Sequence, residues 1–275
     1  VMLARWSTPR HHDAANVVAA HAHGLLARRR KLSGGGTLAR LCPPVDAKLH
    51  THQRAGVRWL YAAYLRGGGI LGDEPGLGKT LQTIGLVEAV VRRGLATRVL
   101  IVAPANLVKN WQSEFIKWLC TGEYSLSLSV VGSEEPGLHA VQKLARLAAV
   151  PPPSSPPHAA AAPRHLVCLV SYETLHAHGS ALHASAGVDL LVADEAHRLR
   201  NMGGRALALK LVPARSRVLL TGTPLPNHMS EFYTLVDLAL PGRLGTRSDF
   251  NEDVASPLEA GRAVGASSDA LLLGS

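Results

Sequence analysis

Two short motifs carry residues that could bind and cleave a triphosphate. Residues 73–80 read Asp-Glu-Pro-Gly-Leu-Gly-Lys-Thr, and residues 194–197 read Asp-Glu-Ala-His. A glycine-rich turn ending in Gly-Lys-Thr offers backbone N–H groups to phosphate oxygens, while its lysine reaches the β- and γ-phosphates and its hydroxyl reaches Mg²⁺. An Asp-Glu pair supplies one carboxylate for the metal and another for the attacking water. Together the motifs predict binding and hydrolysis of a nucleoside triphosphate.

The glycine-rich loop provides most of the predicted nucleotide contacts. Gly76 and Gly78 let the backbone approach the phosphates without a Cβ clash. Lys79 would neutralise charge on the β- and γ-phosphates, and Thr80 would ligate Mg²⁺. The other loop residues assigned to this site are Asp73, Glu74, Pro75 and Leu77. Asp73 stands where the strict phosphate-loop pattern has glycine, so the loop taken alone could be a surface turn.

The acidic motif follows an apolar run and allows two interpretations. Asp194 would hold Mg²⁺, directly or through water, and Glu195 would polarise the attacking water as a general base. A solvated helix start is the alternative for this motif alone, since acidic residues favour a first turn. His197 would either sense the γ-phosphate or be an ordinary core histidine. Residues 221–224, Thr-Gly-Thr-Pro, follow another apolar run and predict a coupling segment beside the nucleotide, with a simple turn as the alternative.

Apolar runs alternate with helical patterns, which would bring these motifs to one edge of a sheet. Strands are predicted at residues 70–71, 98–104, 126–131, 166–170, 190–193 and 218–220. Helices are predicted at residues 53–65, 81–91, 107–119, 138–150, 204–211 and 230–240. Continuous Val, Ile and Leu runs indicate a parallel sheet covered on both faces, whose ligands bind beyond the carboxyl ends of the strands. The predicted fold is α/β, a single RecA-like P-loop lobe.

Composition and charge separate a tail from the lobe. Residues 1–45 are predicted to be a basic low-complexity tail or linker. Residues 1–50 contain eight Lys or Arg and two acidic residues, so most of the net charge of +9 lies there. That tail could bind a phosphate backbone, act as a nuclear import signal or be a solvated arm. The Pro- and Ala-rich residues 151–163 are predicted to be a surface insertion.

Cysteine count and hydropathy argue against several classes of protein. Three cysteines form neither a disulfide framework nor a metal-ligand spacing, and the odd number suits a reducing compartment. No cysteine or carboxylate spacing accompanies the paired histidines, so a metal site is not predicted there. No apolar run approaches the ~20 residues that span a bilayer, and the first residues do not resemble a signal peptide. We therefore expect a soluble intracellular protein.

Six ordered motifs resemble the Swi/Snf family of helicase-like ATPases that translocate on double-stranded DNA. The first two are Gln-Arg-Ala-Gly-Val-Arg-Trp-Leu and an extended glycine-rich loop, at residues 53–60 and 68–82. The other four lie at residues 102–114, 171–175, 194–201 and 220–227. The resemblance covers about residues 49–242. Residues 242–246, together with Phe250 and Pro257, are most similar to the Rad-fifty-four-like branch, which remodels recombination intermediates. The transcription-coupled-repair branch remains an alternative.

This resemblance implies roles for further residues and names partners. Gln53 would read the adenine. One DNA strand would run along a track whose contacts do not depend on base sequence. The residues that would line this track are Pro104, Asn106, Lys109, Ser171, Tyr172 and Thr174. The residues that would couple nucleotide state to DNA grip are His197, Thr221, Gly222 and Thr223. ATP and Mg²⁺ are the implied cofactors. Double-stranded DNA is the implied partner, with nucleosome or recombinase proteins as further candidates; the nucleus, without membrane association, is the implied location.

The resemblance also implies a second lobe and a limit on activity. Residues 46–242 would be the helicase ATP-binding lobe 1, and residues 243–275 would begin a truncated insertion between lobes. The family's arginine finger lies on the second lobe, and such a finger contributes ~10³–10⁵ in rate in other NTPases. We therefore expect this chain to bind ATP but to hydrolyse it slowly. Pro75 departs from the methionine usual in the family and removes one N–H from the loop.

Three functions follow from these observations. The favoured one is the ATP-binding lobe of a DNA-dependent ATPase or translocase in DNA repair, recombination or chromatin remodelling. An RNA helicase of the Asp-Glu-Ala-His type shares the nucleotide chemistry, but residues 53–60, 171–175 and 198–201 are more similar to the DNA family. A truncated lobe that serves only as a binding module is the non-enzymatic alternative.

Overall fold

A computed structural model describes most of the predicted lobe. It covers residues 41, 43–119, 126–132, 136–153, 165–183, 185, 187–201, 203–222 and 229–256. Most of the predicted tail and of the predicted insertion lies outside these described residues, as does Thr223 of the predicted coupling segment.

Six strands form one parallel sheet in the described part of the chain. They are β1 (Gly68–Leu71), β2 (Arg98–Ala103), β3 (Leu128–Val131), β4 (Leu166–Ser171), β5 (Leu190–Ala193) and β6 (Arg217–Leu220). Their order across the sheet is β1-β6-β5-β2-β4-β3, and every neighbouring pair is parallel. This order places the carboxyl ends of β1, β6 and β5 side by side, which brings the three predicted motifs to one edge.

Helices cover both faces of the sheet. In chain order they are α1 (Pro43–Asp46), α2 (Thr51–Leu65), α3 (Lys79–Arg92), α4 (Ala105–Leu119), α5 (Gly137–Ala149), α6 (Tyr172–His178), α7 (Ser180–His183), α8 (Gly203–Leu211), α9 (Met229–Ala239) and α10 (Arg247–Phe250). A 3₁₀ turn follows β5 at Ala196–Asn201, and a π-type turn follows α10 at Asn251–Ala255. Within the described ranges, no helix combines the length and the apolar character that crossing a membrane requires.

The strands bury alternate residues in two separate cores. Val99 and Ile101 of β2 pack with α2, α3 and α4 on one face, whereas Leu100 and Val102 pack with α5, α6, α8 and α9 on the other. Successive side chains of a strand point to opposite faces. With helices on both faces, all residues of β2 become buried, and this is why its sequence is a continuous apolar run.

Apolar residues on either side of residues 46–242 also pack against the lobe. Leu41 and Val45 belong to the predicted tail of residues 1–45 but are buried in the core. At the other end, Phe250 is buried against α9 in a third apolar cluster, so residues 243–256 pack on the lobe instead of leaving it. Both segments are short, so the few apolar residues in each do not distinguish a core from a linker by sequence.

Candidate nucleotide site

The segments that follow β1, β5 and β6 meet at one edge of the sheet. A Cβ atom built on Gly222 would lie 3.1 Å from Cγ of Pro75 and 4.0 Å from Nζ of Lys79. Thr221 Oγ1 lies 3.3 Å from Nδ1 of His197. The glycine-rich loop, the acidic motif and the third motif are thus parts of a single site, although more than a hundred residues separate the first from the others in the chain.

The glycine-rich loop makes a tight turn between β1 and α3. Gly76 and Gly78 have φ angles of +89° and +79°, in the left-handed region that glycine adopts without steric strain. Gly78 is the N-cap of α3, so the unpaired N–H groups of that helix open onto the loop. The residues of the loop that are exposed to solvent are Glu74, Pro75, Gly76 and Leu77. The turn therefore offers an accessible anion-binding surface.

Lys79 folds back over this loop. Its ammonium group donates hydrogen bonds to the carbonyl oxygens of Asp73, at 2.7 Å, and Glu74, at 3.2 Å. These neutral acceptors hold the positive charge inside the turn. Phosphate oxygens would be stronger acceptors, because hydrogen bonds between ionised groups are shorter and stronger than those to carbonyl oxygens.

Asp194 is a buried carboxylate held on both sides. Trp111 Nε1 donates to its Oδ2 at 2.8 Å, and the backbone N–H of Glu195 donates to its Oδ1 at 2.8 Å. Tyr172 donates its hydroxyl proton to the Asp194 carbonyl oxygen at 2.6 Å. Burial raises the pKa of the Asp194 carboxyl, and the Trp111 hydrogen bond and the charge of Lys79 oppose that shift. A nearby cation would therefore stabilise the charged form of this group.

Asp194 and Thr80 present the kind of donors that Mg²⁺ prefers. Carboxylate and hydroxyl oxygens suit a hard cation, and a buried carboxylate gains from a positive partner. No set of three His, Cys, Asp or Glu side chains is grouped as a metal site among the described residues. Mg²⁺ is usually bound by one or two carboxylates, with phosphate oxygens and water as its other ligands. These residues fit the predicted ion.

Glu195 is the only described residue other than glycine with a positive φ angle, +50°. This conformation is uncommon for a side chain of its size, and such strain is concentrated at functional sites. Its Oε2 lies 3.2 Å from Nδ1 of His197, the nitrogen that also faces the hydroxyl of Thr221. A chain of polar contacts thus joins the predicted general base to the third motif.

Gln53 braces the loop from α2. Its Nε2 donates to the Leu77 carbonyl oxygen at 3.3 Å, and its Oε1 accepts from the backbone N–H of His50 at 3.0 Å. A Cβ atom on Gly78 would lie 2.2 Å from that Nε2, so a larger residue there would displace the Gln53 amide as well as adopting a strained φ angle. The role predicted for Gln53 in reading adenine stays a prediction.

Gln82 is a site residue to which the sequence analysis assigns no role. Its Nε2 donates to Oδ2 of Asp73 at 3.0 Å and to the Leu77 carbonyl oxygen at 3.2 Å. The side chain is fully buried, and a Cβ on Gly56 would lie 1.7 Å from its Oε1. Gln82 therefore ties both ends of the loop together and holds the carboxylate that replaces the usual glycine. A glutamine one turn into a buried helix after Gly-Lys-Thr is the available sequence signal.

Replacing Gln82 with methionine should weaken nucleotide binding. Methionine keeps the length of the side chain but removes both donated hydrogen bonds, which are each worth about 0.5–1.5 kcal/mol. We expect the dissociation constant of a fluorescent ATP analogue to rise about tenfold, as a loss of 1.4 kcal/mol implies. Gln142→Met, on the exposed face of α5, is the matched control and should leave binding unchanged. Equal affinities of the two variants would contradict the proposed bracing.

The residues predicted to line the DNA track fall into an exposed and a buried group. Asn106 and Lys109 are exposed on the first turns of α4. The buried group comprises Pro104, Ser171, Tyr172 and Thr174. Ser171 caps α6 by accepting a hydrogen bond from the backbone N–H of Thr174 at 3.0 Å. The side chains of the buried group are thus not available to DNA in this conformation, and α6 is too short for its periodicity to reveal this from sequence.

Comparison with protein families decides which family this arrangement represents. A family model described as the SNF2-related domain matches residues 52–272. The chain belongs to the SNF2-related family. The SNF2-related match runs beyond residue 242, in agreement with the packing of Phe250 and its neighbours on the lobe.

Curated relatives of this SNF2-related domain include DNA repair proteins. The rice (Oryza sativa subsp. japonica) DNA repair and recombination protein RAD54 is 35% identical over 242 residues, covering 82% of this chain and 23% of the relative. The chicken (Gallus gallus) DNA repair and recombination protein RAD54B is 34% identical, covering 80% of this chain and 23% of the relative. The fission yeast (Schizosaccharomyces pombe) DNA repair protein rhp54 is 33% identical, covering 80% and 26%. The chain thus spans about a quarter of the length of these relatives.

Solved structures confirm the RecA-like fold of the SNF2-related domain. The SWI2/SNF2 ATPase core of Sulfolobus solfataricus in complex with double-stranded DNA superposes with a TM-score of 0.62 at 25% identity, covering 81% of this chain and 42% of that one. The core domain from the same organism gives a TM-score of 0.57 at 25% identity, covering 76% and 38%.

Proposed function

We propose that this SNF2-related domain is the ATP-binding lobe of a DNA-dependent ATPase and translocase of the Swi/Snf type that acts in DNA repair and recombination. The observation that carries the proposal is the meeting of residues 73–80, the pair Asp194 and Glu195, and the pair Thr221 and Gly222 at one edge of the sheet. The names of the curated relatives and the DNA held by a structural neighbour support it.

In this proposal the loop binds the triphosphate. The N–H groups at the start of α3 face the phosphates, and Lys79 exchanges the carbonyl oxygens of Asp73 and Glu74 for β- and γ-phosphate oxygens. Thr80 and Asp194 would hold Mg²⁺, which when bound would neutralise charge on the β- and γ-phosphates. The Lys79 side chain would not have to leave the loop for this exchange, because its ammonium group already lies over the turn.

Glu195 acts as the general base for the attacking water. The water oxygen forms a bond to the γ-phosphorus while the bond from that phosphorus to the bridging oxygen breaks, and Glu195 accepts the proton. The products are ADP and inorganic phosphate. His197 lies between Glu195 and Thr221, so departure of the γ-phosphate can be transmitted to the third motif, which borders the loop at Pro75.

DNA binds along the surface next to α4. Asn106 and Lys109 are exposed there and would contact phosphates, which makes binding independent of base sequence and sensitive to salt. Nucleosome or recombinase proteins are the further partners that we propose, and the nucleus is the proposed location, since the curated relatives are DNA repair proteins.

Lys79→Ala should cost this chain most of its affinity for ATP. The substitution removes charge-assisted hydrogen bonds worth about 1.5–3 kcal/mol, so the dissociation constant should rise about ten- to a hundredfold. Binding is measured with a fluorescent ATP analogue in Mg²⁺. Lys143→Ala is the matched control, since the Lys143 ammonium also donates to a backbone carbonyl, that of Val130 at 2.7 Å, but does so from α5.

The DNA arm of the test compares duplex DNA with single-stranded RNA. Steady ATP hydrolysis should be stimulated by the duplex and should fall again when salt is raised. Stimulation by RNA alone would favour the RNA helicase, and the absence of nucleotide binding in the unsubstituted chain would favour a binding module without enzymatic activity.

A further inference from the structure

Asp194 is hydrogen-bonded by side chains from two different helices. Trp111, on α4, donates from Nε1 to its carboxylate at 2.8 Å, and Tyr172, the first residue of α6, donates from its hydroxyl to its carbonyl oxygen at 2.6 Å. The exposed fractions of these two side chains are 1% and 2%. Neither ring can therefore stack on a base, and both are placed to fix the backbone and the side chain of Asp194.

Helix α4 also carries the exposed residues assigned to DNA. Asn106 and Lys109 are exposed on α4, five and two positions before Trp111, respectively, in a continuous helix. Residues two apart on a helix point to different sides, so α4 presents Lys109 to solvent while Trp111 faces the site. A helix with its hydrogen bonds intact moves as a unit, so a displacement of its outer surface by DNA also displaces the indole.

The hydrogen bonds to Asp194 leave its carboxylate able to bind a cation. Its Oδ2 accepts from Trp111 and its Oδ1 accepts from the backbone of Glu195, and each carboxylate oxygen has a further lone pair for a cation. Because Glu195 follows directly and already holds a strained φ of +50°, a rotation of Asp194 also moves the general base. Partners that orient a metal-binding group in this way commonly set its affinity for the metal.

We propose that Trp111 and Tyr172 are positioning residues through which α4, the helix with the exposed DNA residues, and its neighbour in the site, α6, orient Asp194 and, through it, Glu195. The inference rests on the proposed function, since it assigns the regulation of that same site. It accounts for the burial of Tyr172, which the sequence analysis assigns to the DNA track, and of Trp111, which lies in a DNA-family motif but does not reach the surface.

Trp111→Phe tests the link at the carboxylate. Phenylalanine keeps an aromatic ring in the core and removes the N–H donor. We measure the dissociation constant of a fluorescent ATP analogue in Mg²⁺ and in EDTA. The gain in affinity from Mg²⁺ should fall about tenfold in the variant, with affinity in EDTA unchanged. Trp118→Phe is the matched control, since Trp118 lies on the same helix and donates from Nε1 to Glu114 at 2.8 Å, away from Asp194.

Tyr172→Phe and a duplex DNA arm test the link to DNA. Tyr64→Phe is its control, because the Tyr64 hydroxyl is buried and donates to the Leu95 carbonyl oxygen at 2.7 Å. Saturating duplex DNA should change the affinity of the unsubstituted chain for the Mg²⁺-bound analogue. That change should disappear in Trp111→Phe and Tyr172→Phe and persist in both controls, with circular dichroism confirming that all variants are folded.

The outcomes separate the two proposals. If the unsubstituted chain does not bind the analogue, the proposed function fails. If it binds, but the Mg²⁺ gain is the same in Trp111→Phe and Trp118→Phe, the positioning role is wrong while the proposed function stands. If the Mg²⁺ gain depends on Trp111 but DNA has no effect in any variant, the link to DNA is overturned.

Discussion

Glu195→Gln is expected to remove most ATP hydrolysis and to leave ATP binding intact. Glutamine has the shape of glutamate but cannot accept the proton of the attacking water, a role that contributes about 10²–10⁴ in rate. The backbone of Glu195 has a φ of +50°, and its Oε2 lies 3.2 Å from Nδ1 of His197. Lys79, Thr80 and Asp194 are unchanged in the variant, so the phosphate contacts should persist.

The measurement is a single-turnover rate with the protein in excess over ATP, because such a rate reports the cleavage of bound ATP rather than the release of product. The dissociation constant of a fluorescent ATP analogue is determined in parallel. Glu252→Gln serves as the control, because Glu252 is exposed in the π-type turn that follows α10. A hydrolysis rate for Glu195→Gln equal to that of the control would show that another group activates the water.

Gly68→Ala is expected to destabilise the whole lobe. Gly68 begins β1 with a φ of +143°, and an added Cβ would lie 2.2 Å from the carbonyl oxygen of Arg217 and 2.7 Å from that of Ala239. Both are backbone atoms, so neither can rotate away as a side chain would. Backbone strain and overpacking together should lower the free energy of unfolding by about 3–5 kcal/mol. Urea denaturation followed by circular dichroism measures this change.

Gly94→Ala separates the effect of a Cβ clash from the effect of a positive φ angle. Gly94 also has a positive φ, +64°, but no atom lies within 4 Å of the place of its Cβ. Only the cost of a left-handed residue, about 1–2 kcal/mol, is expected there. If both substitutions lowered the free energy of unfolding equally, close packing of β1 against β6 would not be the reason for glycine at position 68.

The elements that local patterns specify were predictable from sequence. Residues 190–193 form β5 as predicted, because a strand covered on both faces has to be apolar throughout. The fold class follows from the alternation of such strands with amphipathic helices. The meeting of the loop at residues 73–80 with Asp194 and Thr221 also followed, since parallel strands expose all their carboxyl ends at one edge.

Only the tertiary structure determined the partners of the site residues. The bond from Trp111 to Asp194 joins residues 83 positions apart, and no periodicity of the chain encodes that pairing. The bond from the Tyr172 hydroxyl to the Asp194 carbonyl oxygen likewise joins residues 22 positions apart. Burial of a polar side chain becomes favourable only when distant segments supply its hydrogen-bond partners. The sequence alone therefore determined which chemical groups line the site, and the packing of distant segments determined how those groups are held.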